Sequence, residues 1–159
     1  MTAPYGPFVV VAENIRSLHN VGAIFRSADG AGVSWIFLGG YSGHPPRPEI
    51  SKVALGADEW LPWQHVWEVA PLLDELAGHG YQIVALERTA GAIPLHQFQP
   101  RWPLALIIGN EVEGLGDAVL RRAHHLVSIP MRGRKESLNV SVAFGIAAFR
   151  LAEALPEKL

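Results

Sequence analysis

Short apolar runs recur along this chain, and they leave it few folds to choose from. Phe8-Val9-Val10-Val11-Ala12, Trp35-Ile36-Phe37-Leu38, Tyr81-Gln82-Ile83-Val84-Ala85-Leu86, Leu104-Ala105-Leu106-Ile107-Ile108 and Leu126-Val127-Ser128-Ile129 read as buried strands, and Trp63 to Trp67 as a further one. Helical patterning lies between them. Val21, Ile24, Phe25 and Ala28 fall at i, i+3, i+4 and i+7 and give one apolar face. Asn20 is expected to cap that helix and Gly32 to stop it. Gly22 shares another face with Arg26 and Asp29 and is expected to leave open space beside the guanidinium. Leu72, Leu73 and Leu76 mark a second helix ending near Gly78 and Gly80, and Asp117 is expected to cap a short third one to about Ala123. Gly39 to Pro48 reads as a loop, and Val53 to Trp60 as a short helix and turn. Strands alternating with helices specify an α/β fold with a mostly parallel sheet flanked by helices. No repeat or linker interrupts the 159 residues, so residues 1–159 are read as a single domain.

Composition narrows the function. With 49% hydrophobic and 18% charged residues the chain is globular. It has no cysteine, which excludes disulfides and thiolate metal sites. The seven histidines lack metal-ligand spacing, and no metal is assigned. The N-terminal stretch has no basic, apolar leader pattern, and no apolar run approaches the ~18 residues of a membrane span. The expected location is the cytoplasm. A formal net charge of −2 argues against salt-driven nucleic-acid binding over the whole surface, though not against a local basic patch such as Arg132, Arg134 and Lys135.

Chemistry is concentrated near the C-terminus. The run Leu126–Ile129 stops at Pro130, a basic loop follows, and Ser137 and Asn139 bracket the start of a long apolar segment, read as a helix, running to Leu155. Ser and Asn suit a helix N-terminus because their oxygens accept free backbone N–H groups. That helix is apolar around nearly its whole circumference, so part of it is expected to pack against another subunit. Three loops, starting at Leu86-Glu87-Arg88, Gly109-Asn110-Glu111 and Ile129-Pro130-Met131, leave the C-terminal ends of strands. In a parallel sheet they converge. The phosphate-gripping patterns G-x-G-x-x-G and G-x-x-x-x-G-K-[ST] are absent, and a nucleotide-like ligand without phosphates, of which S-adenosylmethionine is one, stays compatible.

Three segments carry a resemblance. Asn14 to Gly32, with H-N-V-G-A-I-F-R-S-A-D-G-A-G, resembles the first motif of the SpoU–TrmH RNA methyltransferases of the SPOUT superfamily. Ile107 to Leu115 is similar to the second motif, and Ile129-Pro130-Met131 with Ser137-Leu138-Asn139-Val140-Ser141-Val142-Ala143 to the third. The resemblance implies a C-terminal deep trefoil knot, a homodimer, and S-adenosylmethionine held in the knotted loops. It places Gly109, Ile129 and Leu138 against the cofactor, with Leu86 and Met131 lining the site. The implied reaction is methyl transfer to a ribose 2′-hydroxyl of RNA. tRNA is the first choice of substrate and rRNA the alternative. A catalytically silent RNA-binding protein is a further reading, opposed by the intact set of Arg26, Glu111, Ser137 and Asn139.

The resemblance makes Arg26 the reactive residue. A guanidinium with a pKa above ~12 is a poor base, so phosphate binding and orientation of the hydroxyl is the preferred role. Asn20 reads equally as a cap and as an RNA-positioning amide. Glu111 is expected to hold the active-site arrangement together, pairing with Arg26 or RNA. Ser137 and Asn139 are caps that also position substrate or loop. The five tryptophans read as core or interface, with Trp60 or Trp63 the candidates for base stacking.

Overall fold

The computed structural model describes residues 3–157. Met1 and Thr2, the start of the segment read above as leaderless, lie outside the described residues, as do Lys158 and Leu159. Seven strands form one sheet in the order β3-β2-β1-β6-β4-β7-β5. They are β1 Phe8–Glu13, β2 Trp35–Gly39, β3 Trp63–Val66, β4 Gln82–Leu86, β5 Ile93–Pro94, β6 Leu104–Ile108 and β7 His125–Ser128. All six strand pairs are parallel. The register sets Val10 opposite both Ile36 and Leu106, so the most apolar strands lie side by side at the centre.

Side chains alternate across a strand, which divides the core in two. Phe8, Val10, Ala12, Leu104, Leu106 and Ile108 pack on one side with helices α1 (Leu18–Ala31), α2 (Pro48–Ala54) and α6 (Val140–Ala152). Val9, Val11, Ala105 and Ile107 pack on the other side with α4 (Val69–Gly78) and α5 (Asp117–Leu120). The remaining α-helix, α3, is Ala57–Trp60, and Leu95–Gln97 form a short 3-10 turn. Among the described residues no helix is long and apolar enough to cross a membrane.

Several local expectations are corrected. Ser17, not Asn20, caps α1: its Oγ accepts from the Asn20 N–H at 3.1 Å. Leu18 and His19 tolerate helical geometry, so the helix starts earlier and the Asn20 amide is freed for other partners. Gly32 does stop the helix, in the left-handed conformation at φ 83°. Gly22 does not border open space. A Cβ there would stand 2.6 Å from the Ile50 carbonyl oxygen and 2.9 Å from Val53 Cβ, so Gly22 is where α1 and α2 touch. Pro48 opens α2 because its fixed φ suits the first helical position. Asp117 begins α5 without a side-chain capping bond, and that helix ends at Leu120. Helix α6 stops at Ala152. Within one chain it buries Phe144, Ala147, Ala148 and Leu151 but leaves Val142, Ile146 and Phe149 about half exposed.

A side chain extends the β4–β7 ladder. His124 Nδ1 accepts from the Ile83 N–H at 2.9 Å, while the His124 N–H donates to the Ile83 carbonyl at 2.8 Å. Only an unprotonated nitrogen can accept there. Desolvation, then the charges of Arg101 and His125, lowers the His124 pKa from its ordinary 6.5. Between the lowered value and 6.5 the unfolded chain binds a proton that the folded chain does not, so stability falls as pH drops through that window.

Thermal melts across pH 5–8 should show this loss below about pH 6.5, and His124→Asn should flatten it. Gly22→Ala should cost about 1–3 kcal/mol in denaturant unfolding, because main chain rather than a flexible side chain must yield.

Candidate active site

The C-terminal ends of β6, β4 and β7 share one edge of the sheet, and the loops leaving them enclose a cavity of about 270 Å³. Leu86, Gly109, Ile129, Met131 and Leu138, the five residues expected at a cofactor, all line it, together with Glu111 and Ser137. Ile108, Val140 and Ala143 add further apolar wall. Glu87, Glu111 and Glu136 face the cavity against Arg88 alone, three negative groups to one positive. The lining therefore favours a cationic ligand.

The wall from 109 to 115 is built by hydrogen bonds. Asn110 is 7% exposed, and its Oδ1 accepts from the Val112 and Glu113 N–H groups, each at 2.8 Å. Its Nδ2 donates to the Asn14 carbonyl at 2.9 Å and the Tyr41 hydroxyl at 2.8 Å. Glu87 Oε2 accepts from the Leu115 N–H at 2.8 Å, joining the loop after β4 to the loop after β6. A Cβ on Gly109 would lie 2.7 Å from the Leu115 side chain and 2.9 Å from the Gly114 carbonyl carbon, so the turn closes only on glycine.

Asn20 joins the first motif to the other two. Its Nδ2 donates to Glu111 Oε1 at 3.2 Å, and its Oδ1 accepts from Asn139 Nδ2 at 3.2 Å. Asn139 also caps α6, its Oδ1 accepting from the Ser141 N–H at 2.9 Å and the Val142 N–H at 3.4 Å. Ser137 faces the cavity and takes no part in that cap. Glu111 thus meets Asn20 rather than Arg26. Arg26 is exposed on α1, makes no hydrogen bond or ion pair among the described residues, and does not line the cavity. It lies six residues beyond Asn20, ~9 Å along the helix axis.

Among the lining positions without a role in the sequence reading are Asn110, the pivot of its loop, and Glu87. The signal for each was a polar residue immediately after an apolar strand or its terminal glycine. Among the described residues no cluster of three or more metal-ligating side chains occurs.

A family model for the SpoU rRNA Methylase family matches residues 7–149. The chain belongs to that family. Among SpoU relatives, a 23S rRNA (guanosine-2'-O-)-methyltransferase, RlmB, of Pectobacterium atrosepticum is 37% identical over 145 residues, covering 90% of this chain. The chain spans only 58% of that relative's length. The crystal structure of an AdoMet-bound rRNA methyltransferase from Sinorhizobium meliloti superposes with a TM-score of 0.88 at 29% identity, covering 99% of this chain and 60% of that one. A structure described for 2-OH methylation of C/U34 on tRNA superposes with a TM-score of 0.82 at 26% identity, covering 93% of this chain and 95% of that one.

Asn20→Asp should set a carboxylate against Glu111, costing on the order of 1 kcal/mol at pH 7. Urea unfolding of wild type and variant at pH 7 reads that loss.

Proposed function

We propose that this SpoU chain transfers a methyl group from S-adenosylmethionine to a ribose 2′-hydroxyl of RNA, with tRNA as substrate. The cavity carries the reading. Its apolar wall of Leu86, Ile129, Met131 and Leu138 suits a purine ring, and its acidic excess suits a sulfonium. The donor set contains no phosphate cradle, which fits a ligand that has none. When bound, S-adenosylmethionine supplies an already activated methyl carbon, so the chain's own task is placement and proton handling.

In this reading Gly109, Ile129 and Leu138 present backbone groups to the cofactor, and Leu86 and Met131 form its apolar wall. The Asn139–Asn20–Glu111 bonds hold the start of α6, the first turn of α1 and the loop after β6 in one arrangement. Ser137 faces the reacting groups from the cavity rim. Arg26 binds the phosphate beside the target ribose and orients its hydroxyl, which loses its proton late.

Arg26 reaches the site through a homodimer. Ser27 and Gly30, beside Arg26, face Gly145 and Phe149 of α6. Val142, Ile146 and Phe149 form an exposed apolar stripe along that helix. A second copy seated on the stripe brings Arg26 into the interface. The same resemblance supports a deep trefoil knot in the C-terminal part, a single methyltransferase domain over residues 1–159, and a cytoplasmic enzyme. The near-complete mutual coverage with the structure described for tRNA methylation supports tRNA, and the relative named for 23S rRNA supports rRNA as the alternative.

Incubation with labelled S-adenosylmethionine and separate tRNA and rRNA pools, followed by mapping of the labelled nucleotide, should place the methyl on a ribose in tRNA. Label in neither pool would refute the activity. Arg26→Ala should lower turnover about 100-fold or more while cofactor affinity stays nearly constant; unchanged turnover would remove Arg26 from the mechanism.

A further inference from the structure

The chain is slightly acidic overall, which argues against counterion release over its whole surface as the main hold on RNA and leaves that term to local basic groups. Base stacking is the alternative that does not depend on charge. The edge strand β3 offers it. Alternation turns Trp63 and His65 to one side and Gln64 and Val66 to the other, and Trp67 follows directly after the strand. His44, from the loop after β2, fits between the first two. Its ring centroid is 5.4 Å from that of Trp63 with planes 24° apart, and 5.1 Å from that of His65. His65 in turn stands 4.6 Å from Trp67 at 86°.

We propose that this Trp63–His44–His65–Trp67 ladder is a stacking platform for unpaired bases of the RNA substrate. It rests on the RNA reading given above and adds to it where the strand is held. Trp67 is 76% exposed, a large indole left in water with no core to fill. The imidazoles are fixed: His65 Nε2 donates to the Gly40 carbonyl at 2.7 Å, and His44 Nδ1 to the Pro45 carbonyl at 2.8 Å. A platform already in place loses little freedom when a base arrives.

The ladder is also continuous with the cavity. Gly40, which holds His65, precedes Tyr41, whose hydroxyl accepts from the cavity residue Asn110. The Arg16 guanidinium lies 5.6 Å above the Tyr41 ring and faces solvent, where it meets a phosphate between the two. β3 stands three strand spacings from β6, ~14 Å at ~4.8 Å each. A base gripped there belongs to a nucleotide a few positions from the methylated one.

The test compares wild type, Trp67→Ala and Trp67→Phe in binding an unfractionated tRNA pool and an unstructured oligoadenylate ten-mer, with light scattering for oligomeric state. Trp67→Ala should raise the Kd for both RNAs about tenfold, raise KM for methyl transfer with kcat held, and leave S-adenosylmethionine affinity untouched. Trp67→Phe should restore most of the RNA affinity. Equal Kd values for wild type and Trp67→Ala overturn the platform, and continued methylation by wild type then leaves the activity standing. A change of oligomeric mass with RNA affinity unaltered also overturns it and assigns the ladder to a second copy of the chain. A wild-type protein that binds no RNA overturns both readings.

Discussion

Parallel pairing of β1, β6 and β4 is the constraint from which the rest of the molecule follows. These strands are apolar on both faces, so helices must cover both sides, and every crossover must return the chain to the same starting edge. The opposite edge then collects all the strand-terminal loops. Glu87, Gly109 and Met131 are distant in sequence but neighbours in space for that reason alone. The side chains that close the cavity could vary without disturbing the pairing, whereas a polar residue at Leu106 or Val10 would disturb everything built on it.

At the cavity the division of labour is between burial and amide chemistry. Asn110 and Asn20 both supply donors and an acceptor from one planar group, and both are almost fully buried. Each ties together segments that the sheet only brings close: Asn110 the ends of β1, β2 and β6, and Asn20 the first turn of α1, Glu111 and the cap of α6. An aspartate would keep the acceptors and lose the donors. The acidic lining is consistent with this economy, since carboxylates such as Glu87 serve as acceptors for main-chain N–H groups while also shaping the field in the cavity.

Strand positions and the sheet's parallel character were legible from the sequence, because a run such as Leu104–Ile108 admits few readings. Five of the cavity-lining residues, Leu86, Gly109, Ile129, Met131 and Leu138, were legible through the family resemblance. Other features were hidden for identifiable reasons. Asn20 looked like a cap because Ser17 sits before Leu18 and His19, which carry no helical signal of their own. Gly22 looked like free space because its neighbours, Ile50 and Val53, come from a segment whose helix begins at a proline within a loop-like stretch. The two-residue β5 is too short to carry a period. The exposed position of Arg26, away from the cavity, was hidden because a motif does not record where a side chain on α1 points.

The two sides of the cavity are not built alike. From Asn110 to Leu115 nearly every turn is braced by a side chain or a main-chain bond. Across from it, residues 130–138 have no main-chain hydrogen bond among the described residues, and the exposed Arg88–Glu136 pair at 3.4 Å contributes little. One wall is therefore a template and the other a drape. Under the function proposed above, a ligand of fixed shape meets the first wall as built, and the ordering that accompanies its capture falls on the single short segment of the second.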